Sequence, residues 1–337
     1  MRSKVAIDIG SHSIKVAEGF EKKGKLYLKA LGIIENPLPN LFRNPNENEQ
    51  KTFVLFLRDF LKKTGIIKKE TVTGLSGESL IIHYFDIPKI PSNEIESAVQ
   101  IEAMQVIPGG VLNLDYDYKV FPGTQSQTVL FVGYPKDKCS FYVETLQQSG
   151  LKTLIMDIQS VAVANCYELM QPNDSKEPTA LFSVGHQYTH FIVTGQKEFL
   201  FIRDIEFGGH HLIRAMATEK KVSEAEAETY LTDPQYQDTV QQLSRTSSQE
   251  MIQEALTGIH YCEARSQLAP KTILLTGGAS MLHGLKETLQ QQTGIETKLW
   301  NPLTSPSVIA PSLSDDMREQ GHSFTVTLGL LCRKLLQ

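Results

Sequence analysis

The chain has 337 residues, 41% of them hydrophobic and 21% charged, and a formal net charge of −5. That length suits about two to three domains with sizeable cores, and the charge gives no global attraction to nucleic acid or anionic lipid. Four scattered cysteines, Cys139, Cys166, Cys262 and Cys332, lack C-x-x-C spacing, which argues against a zinc site or disulfide framework and for a reducing compartment.

Met1-Arg2-Ser3-Lys4 leads straight into a strand with no signal peptide, and no apolar run approaches the ~20 residues that cross a bilayer. A soluble, cytoplasmic protein is expected, with no direct membrane insertion. Residues 4–35 predict three strands, residues 36–50 a polar loop, and residues 51–64 a helix with Phe53, Phe56, Leu57 and Phe60 at helical spacing. Val72 to Ile87 reads as two strands around a turn at 77–79. A boundary follows at Pro88-Lys89-Ile90-Pro91. Ser92 is suited to cap the next helix, whose stripe is Ile95, Ala98, Val99, Ala103 and Val106 and which ends at Pro108-Gly109-Gly110. Strands near 115–121 and 128–133 and a helix near 136–148 complete an inserted βα module. A strand and helix over 151–170 and a polar hinge from Pro172 to Pro178 lead into the second half.

There, Ala180 to Val193 again reads strand, glycine turn, strand, with a polar tip at 194–197 and a further strand. A helical block follows Gly208-Gly209. Ser223 with Glu226 and Ser247 with Glu250 have capping-box spacing. The last helix of the block, from Ser247 to Leu268, carries Ile252, Ala255, Leu256, Ile259 and Cys262. Thr272 to Ser280 reads strand and glycine turn, and a helix from about Leu282 to Gln292 is expected to close at Gly294. The final stretch, 330–337, reads as the last helix of the first half.

The chemistry concentrates in three glycine turns. Asp8-Ile9-Gly10-Ser11-His12-Ser13-Ile14-Lys15 is an apolar strand ending in a carboxylate, a tight turn and a second strand. Gly10 permits close approach of an anion. Amides at Ser11, His12 and Ser13 are suited to phosphate oxygens, Lys15 to a phosphate charge and Asp8 to hydrated magnesium. The second copy aligns Gly185, followed by His186, with Gly10, but puts Ser183 where the first has Asp8. Gly277-Gly278-Ala279 supplies the third turn, and three such turns suit an interdomain phosphate cleft. Asp157 and Gln159, at the end of a strand between the repeats, fit either magnesium and water positioning or a helix N-terminal cap. His186, His190, His210 and His211 read as surface or turn histidines rather than metal ligands, and the cysteines as core. The acidic run Glu224, Glu226, Glu228 reads as a solvated face. P-loop, nucleophile-elbow and G-x-G-x-x-G signatures are missing from the sequence.

The order D-I-G-S-x-S-x-K, inserted module, degraded second hairpin, helical insertion and T-G-G-A resembles the actin/hexokinase/Hsp70 superfamily. Within it the chain is similar to the PilM family of type IV pilus assembly. The resemblance rests on 8–15, on 84–91 with its helix to Pro108, on 203–209, on 222–227 and on 274–279. It implies an α/β, actin-like (ribonuclease H-like) duplicated fold with two insertion subdomains, close to FtsA. The implied division is 1–87, 151–177 and 310–337 for the first subdomain, with 88–150 inserted. Residues 178–208 and 271–309 would form the second subdomain, with 209–270 inserted. The resemblance also implies ATP or ADP with Mg2+ in the cleft. It implies a partner as well, the N-terminal cytoplasmic peptide of a PilN-type inner-membrane protein docked beside the 88–150 module, and through it a PilN/PilO/PilP complex.

Family members usually carry aspartate at the position of Ser183, so nucleotide binding with negligible hydrolysis is expected. Two other readings remain open. One is a superfamily phosphotransferase, for which Asp157 is the carboxylate available. The other is an FtsA-like filament protein.

Overall fold

A computed structural model describes residues 3–123, 126–170, 177–195, 198–267 and 269–334. The chain opens with an antiparallel meander of β1 (Lys4–Ile9), β2 (Ser13–Lys22) and β3 (Lys25–Glu35). Helix α1 (Glu47–Lys63) brings the chain back so that β4 (Glu70–Leu75) pairs in parallel with β1. Next come β5 (Ile81–Pro88), α2 (Ser92–Val106), β6 (Leu114–Phe121) and β7 (Ser126–Pro135), whose strands make their own sheet in the order β5-β7-β6. Helix α3 (Lys136–Gln148) returns to the first sheet, where β8 (Lys152–Ile158) lies parallel to β4, and α4 (Gln159–Met170) follows directly.

The second half repeats this course. A meander of β9 (Thr179–Val184), β10 (Thr189–Gly195) and β11 (Glu198–Ile205) is followed by four helices, α5 (Gly209–Lys220), α6 (Glu224–Tyr230), α7 (Gln237–Ser247) and α8 (Gln249–Ser266). Then β12 (Thr272–Thr276) pairs in parallel with β9, and α9 (Leu285–Thr293) leads to β13 (Glu296–Leu299) beside β12. Finally β14 (Val308–Ile309) joins the outer edge of β3, and α10 (Asp315–Glu319) precedes α11 (Thr325–Cys332). The two large sheets therefore have the same strand logic: β14-β3-β2-β1-β4-β8 and β11-β10-β9-β12-β13.

Burial explains the strand composition. Nearly all of β1 and all of β9 and β10 are buried, because helices cover both faces, and such strands read as continuous apolar runs. One core joins the halves: Ala6, Val72, Leu181, Ile192 and Ile202 from the two sheets pack with Ala162, Val163, Leu328 and Leu331 from α4 and α11. These two helices cross at backbone contact, since a Cβ on Gly329 would lie 1.7 Å from the Ala162 carbonyl oxygen.

Several local expectations change. Helix α1 starts at Glu47, four residues before the expected 51, because Asn46 accepts hydrogen bonds from the N–H groups of Asn48 and Glu49. Ser92 is the first residue of α2 and Pro91 occupies the cap. Ser223 does cap α6 by accepting from the Glu226 N–H, but the Glu226 carboxylate accepts from the Tyr230 hydroxyl. Ser247 ends α7 and caps nothing. The neighbouring Ser248 turns its hydroxyl back to the Ser244 carbonyl. The three-stranded sheet begins at Ile81, not 88. Helix α3 also packs against the first sheet. It buries Cys139, Tyr142 and Leu146 against Ile7, Phe53 and Leu57, with a Tyr142–Thr73 hydroxyl contact of 3.0 Å. Helix α11 stops at Cys332, and residues 335–337, the hinge at 171–176, the tip at 196–197 and Leu268 lie outside the described residues. All four cysteines are buried.

The α4–α11 crossing generates a first prediction. Gly329→Ala forces the two backbones apart and should destabilise the protein by at least ~1–3 kcal/mol. Urea unfolding measures this, and an unchanged midpoint would contradict the crossing.

Candidate functional site

The two β-hairpins are geometric copies. In the first, the Gly10 N–H donates to the Ser13 carbonyl at 3.0 Å, and in the second the Gly185 N–H donates to the Tyr188 carbonyl at 2.9 Å. A Cβ on either glycine would crowd the carbonyl that closes its own turn, at 3.0 Å for Gly10 and 2.8 Å for Gly185. Ser11 and His12 form the first tip, beyond that turn bond. Asn36, expected only to begin a loop, braces this tip: its side-chain amide donates to the Gly10 carbonyl and its backbone N–H to the His12 carbonyl, both at 2.8 Å.

Register aligns the chemistry. Asp8 stands opposite Lys15, and Ser183 stands opposite His190 at the matching place of the second hairpin. Asp8 is buried, and the Lys15 Nζ lies 3.3 Å from its Oδ2. Its Oδ1 accepts from the Gln159 Nε2 at 2.9 Å. Gln159 begins α4, so the helix start carries its side chain to the β1 carboxylate. The Gln159 Oε1 in turn faces the His190 Nε2 at 2.9 Å, and the His190 Nδ1 meets the Asp204 Oδ1 at 2.8 Å. Ser160, next in α4, donates to the same Asp204 oxygen at 3.0 Å.

Donor bookkeeping fixes the protonation of this chain of contacts. An amide that donates to the Asp8 carboxylate must present its oxygen to His190, so Nε2 carries a proton. The Asp204 carboxylate requires a proton on Nδ1 as well. His190 is therefore an imidazolium. Burial opposes that charge, but Asp204 outweighs it and raises the pKa above the ordinary 6.5. The result is an alternating series: Lys15 cation, Asp8 anion, Gln159 dipole, His190 cation, Asp204 anion.

The sequence reading changes accordingly. His190 is no surface or turn histidine; it is buried at the floor between the two sheets. Asp204 and Asn36 were missed as site residues. The signal for Asp204 was its position in β11 directly across from His190. Gln159 reaches the Asp8 network, whereas Asp157 is held elsewhere, 3.2 Å from the Arg333 guanidinium and accepting from the Ile158 N–H. Burial raises the Asp157 pKa, and Arg333 partly offsets this.

The third turn combines two roles. Gly277 adopts φ +94°, and a Cβ there would lie 2.4 Å from the Val184 carbonyl oxygen, so this glycine serves the close packing of β12 on β9. Its N–H donates to the His322 carbonyl at 2.9 Å, and that of Ala279 to the Val184 carbonyl at 3.0 Å. Gly278 is different: the nearest atom to a Cβ would be the Ser323 Oγ at 3.9 Å, which leaves its face open to a ligand.

His186 sits at the tip of the second hairpin with its ring 5.1 Å from that of His12, so the two tips meet. Burial and the adjoining histidines, His12 first among them, push His186 down to about 4. Among the described residues no helix is long and apolar enough to cross a membrane.

Two sheets that share one five-strand order, with hairpin turns facing each other across a shared floor, define an actin-like ATPase fold. The chain belongs to the family described as type IV pilus assembly protein PilM, whose signature matches residues 6–335. Among solved structures it is similar to the PilM-PilN type IV pilus biogenesis complex, with 22% identity, 97% of each chain covered and a TM-score of 0.84. It is also similar to the ethanolamine utilization protein EutJ from Carboxydothermus hydrogenoformans, at 14% identity, 98% and 90% coverage and a TM-score of 0.59. MreB5 of Spiroplasma citri bound to ADP shares the fold at 8% identity, 98% and 95% coverage and a TM-score of 0.52. No curated protein matches the sequence.

The buried pair predicts a pH-dependent stability. His190 has a raised pKa in the folded state, so its contribution is complete below the unfolded value and is lost as pH rises through the folded one. The stability advantage of the wild type over His190→Gln should shrink as pH rises from the ordinary 6.5 through the raised folded value, read from urea midpoints. Asp204→Asn leaves a buried imidazolium unpaired and should cost about 3–5 kcal/mol at neutral pH.

Proposed function

We propose that this chain is a nucleotide-binding scaffold of a type IV pilus assembly machine with negligible ATP hydrolysis. It takes ATP or ADP with Mg2+ between its halves and docks the cytoplasmic tail of a PilN-type inner-membrane protein. In this reading the first half is the six-stranded sheet with the three-stranded unit inserted into it. The second half is the five-stranded sheet with the α5–α8 block.

The residues present suit a phosphate chain. Gly10 and Gly185 allow the tight turns that a Cβ would crowd, and Lys15 places an ammonium beneath the first turn. Ser11, His12 and Ser13 offer polar groups from one tip and His186 from the other. Gly277, Gly278 and Ala279 form the adenosine side, with Gly278 the open face. Asp8 is the carboxylate suited to hold magnesium, which when bound would supply countercharge to the phosphates.

The observation that carries the scaffold reading is the closed network on the cleft floor. A general base needs a free lone pair, but both ring nitrogens of His190 are taken up in contacts with Gln159 and Asp204. Ser183 stands where the superfamily pattern has aspartate, and a serine hydroxyl does not replace a carboxylate base. Loss of that base is worth roughly 10²–10⁴-fold in rate. The phosphotransferase alternative rested on Asp157, which is ion-paired with Arg333.

The energetic logic of the scaffold is linkage. A ligand touching both halves stabilises the arrangement that a partner recognises, and the partner then strengthens the ligand by the same factor. PilN-type docking finds support in the likeness to a PilM-PilN complex and would place the protein at the inner membrane through that partner. A PilO/PilP-containing assembly is the larger setting that the family resemblance implies.

Calorimetry with MgATP tests the cleft. Micromolar binding is expected, weakened about 10- to 100-fold in Lys15→Ala by loss of a charge-assisted contact. No binding by the wild type would leave a nucleotide-free scaffold. Fluorescence anisotropy of a PilN-type tail peptide should show tighter binding with MgATP than without, and equal affinity would refute the coupling.

A further inference from the structure

The Asp8 network does not use the histidines at the mouth of the same cleft. His12 comes from the first hairpin and His186 from the second, 5.1 Å apart between ring centroids. The ring of His186 is in turn 5.3 Å from that of His210, which is 6.2 Å from that of His211. Four imidazoles from two halves of the molecule thus share one place.

The backbone builds this cluster. Gly208 precedes α5, and a Cβ there would lie 2.5 Å from the carbonyl oxygens of Gly185 and His186. The Gly209 and His210 N–H groups donate to those two carbonyls at 3.0 and 2.8 Å. The start of α5 is therefore bonded to the second hairpin, and its two histidines are delivered beside His186. Among the described residues no group of three or more His, Cys, Asp or Glu is arranged to hold a metal ion. The rings contact one another instead of converging on a point.

The surrounding charges leave the middle of the cluster short of anions. From α6, Glu228 lies 3.7 Å from the His12 Nδ1 and Glu224 lies 3.9 Å from the His210 Nδ1. Arg214 of α5 shares Glu224 at 3.9 Å. Glu206, ahead of α5, favours charge on His211, although burial and His210 together hold its pKa below the ordinary value. Lys15 stands behind Gly10 and is paired with Asp8. The carboxylates thus reach the outer rings. His186, partly buried between His12 and His210, is kept neutral by burial and by its neighbours.

We propose that these four histidines form a proton-linked gate for the phosphates of the nucleotide, in which an anion between the two turns draws a proton onto His186. This rests on the nucleotide reading above. The proton comes from solvent and settles on an imidazole nitrogen of His186, and no covalent bond is made or broken. His12 and His186 then hold the anion from opposite halves, so the gate favours closure. A group that binds its proton more tightly in the complex makes binding take up protons, so affinity rises as pH falls. The limiting slope for one proton is about tenfold per pH unit.

The test is calorimetry of the full chain with MgATP, between about pH 6 and about pH 8, in buffers of different ionisation heat. The wild type should take up up to about one proton per nucleotide, and its affinity should fall as pH rises. His186→Gln should bind more weakly, with the uptake gone and the pH profile flattened. The titration of MgATP itself is common to both proteins and cancels in the comparison. Nucleotide binding with a buffer-independent heat overturns the gate and leaves the nucleotide reading standing. The same uptake in His186→Gln also overturns it. No binding at any pH overturns both.

Discussion

The crossing of α4 and α11 is the contact on which the rest of the molecule depends. Gly329 lets α11 approach until its backbone touches the Ala162 carbonyl, and the two helices fill the space between the sheets. Two separate α/β units would each need their own closed core. Here residues of both sheets enter one cluster, so the halves fold against each other instead of beside each other. The same helix sets the site. Helix α4 begins at Gln159 and Ser160, and its placement brings the first to Asp8 and the second to Asp204. A shift of α4 by about half a turn would separate the two halves of the network, because side-chain direction rotates by roughly 100° per residue.

The two hairpins match in register and differ in chemistry. Matching positions hold Asp8 with Lys15 in one hairpin and Ser183 with His190 in the other. No carboxylate stands at 183, and His190 is paired instead with Asp204 of β11, two strands out from Ser183. The cleft floor is thereby a series of alternating charges linked by hydrogen bonds, in which the Asp204 Oδ2 alone of the two carboxylate oxygens of that residue has no partner. A buried ion pair is poor evidence of net stabilisation, but removing one partner is costly. That asymmetry makes the floor a rigid seam. The mouth is the opposite: its histidines are crowded, and burial and its neighbours keep His186 neutral. One cleft thus has a fixed bottom and a responsive rim.

The legible part of this protein was local. Alternation, glycine turns and strand lengths gave both hairpins and the order of nearly every element, because those signals act over a few residues. The break between β5 and α2 at 88–91 and the T-G-G-A turn were readable for the same reason. Capping failed where neighbouring helices competed: the serine at 247 lost its role because α7 runs through it, and Ser248 bonds back to Ser244. Helix α3 buries apolar side chains against the first sheet, a contact that no local pattern shows.

The amino-acid sequence by itself determined the repeated strand–turn–strand units, the aspartate-to-serine difference between them and the membership in an actin-like family. Only the tertiary structure decided which polar residues meet. Gln159 joins Asp8 across 151 residues, and His190 meets Asp204 through strand register. Asp157, two positions from Gln159, is drawn instead to Arg333 near the far end of the chain. No local pattern separates Asp157 from Gln159 or a buried histidine from a surface one. That distinction comes from which helix packs over which strand, and packing is a property of the whole chain.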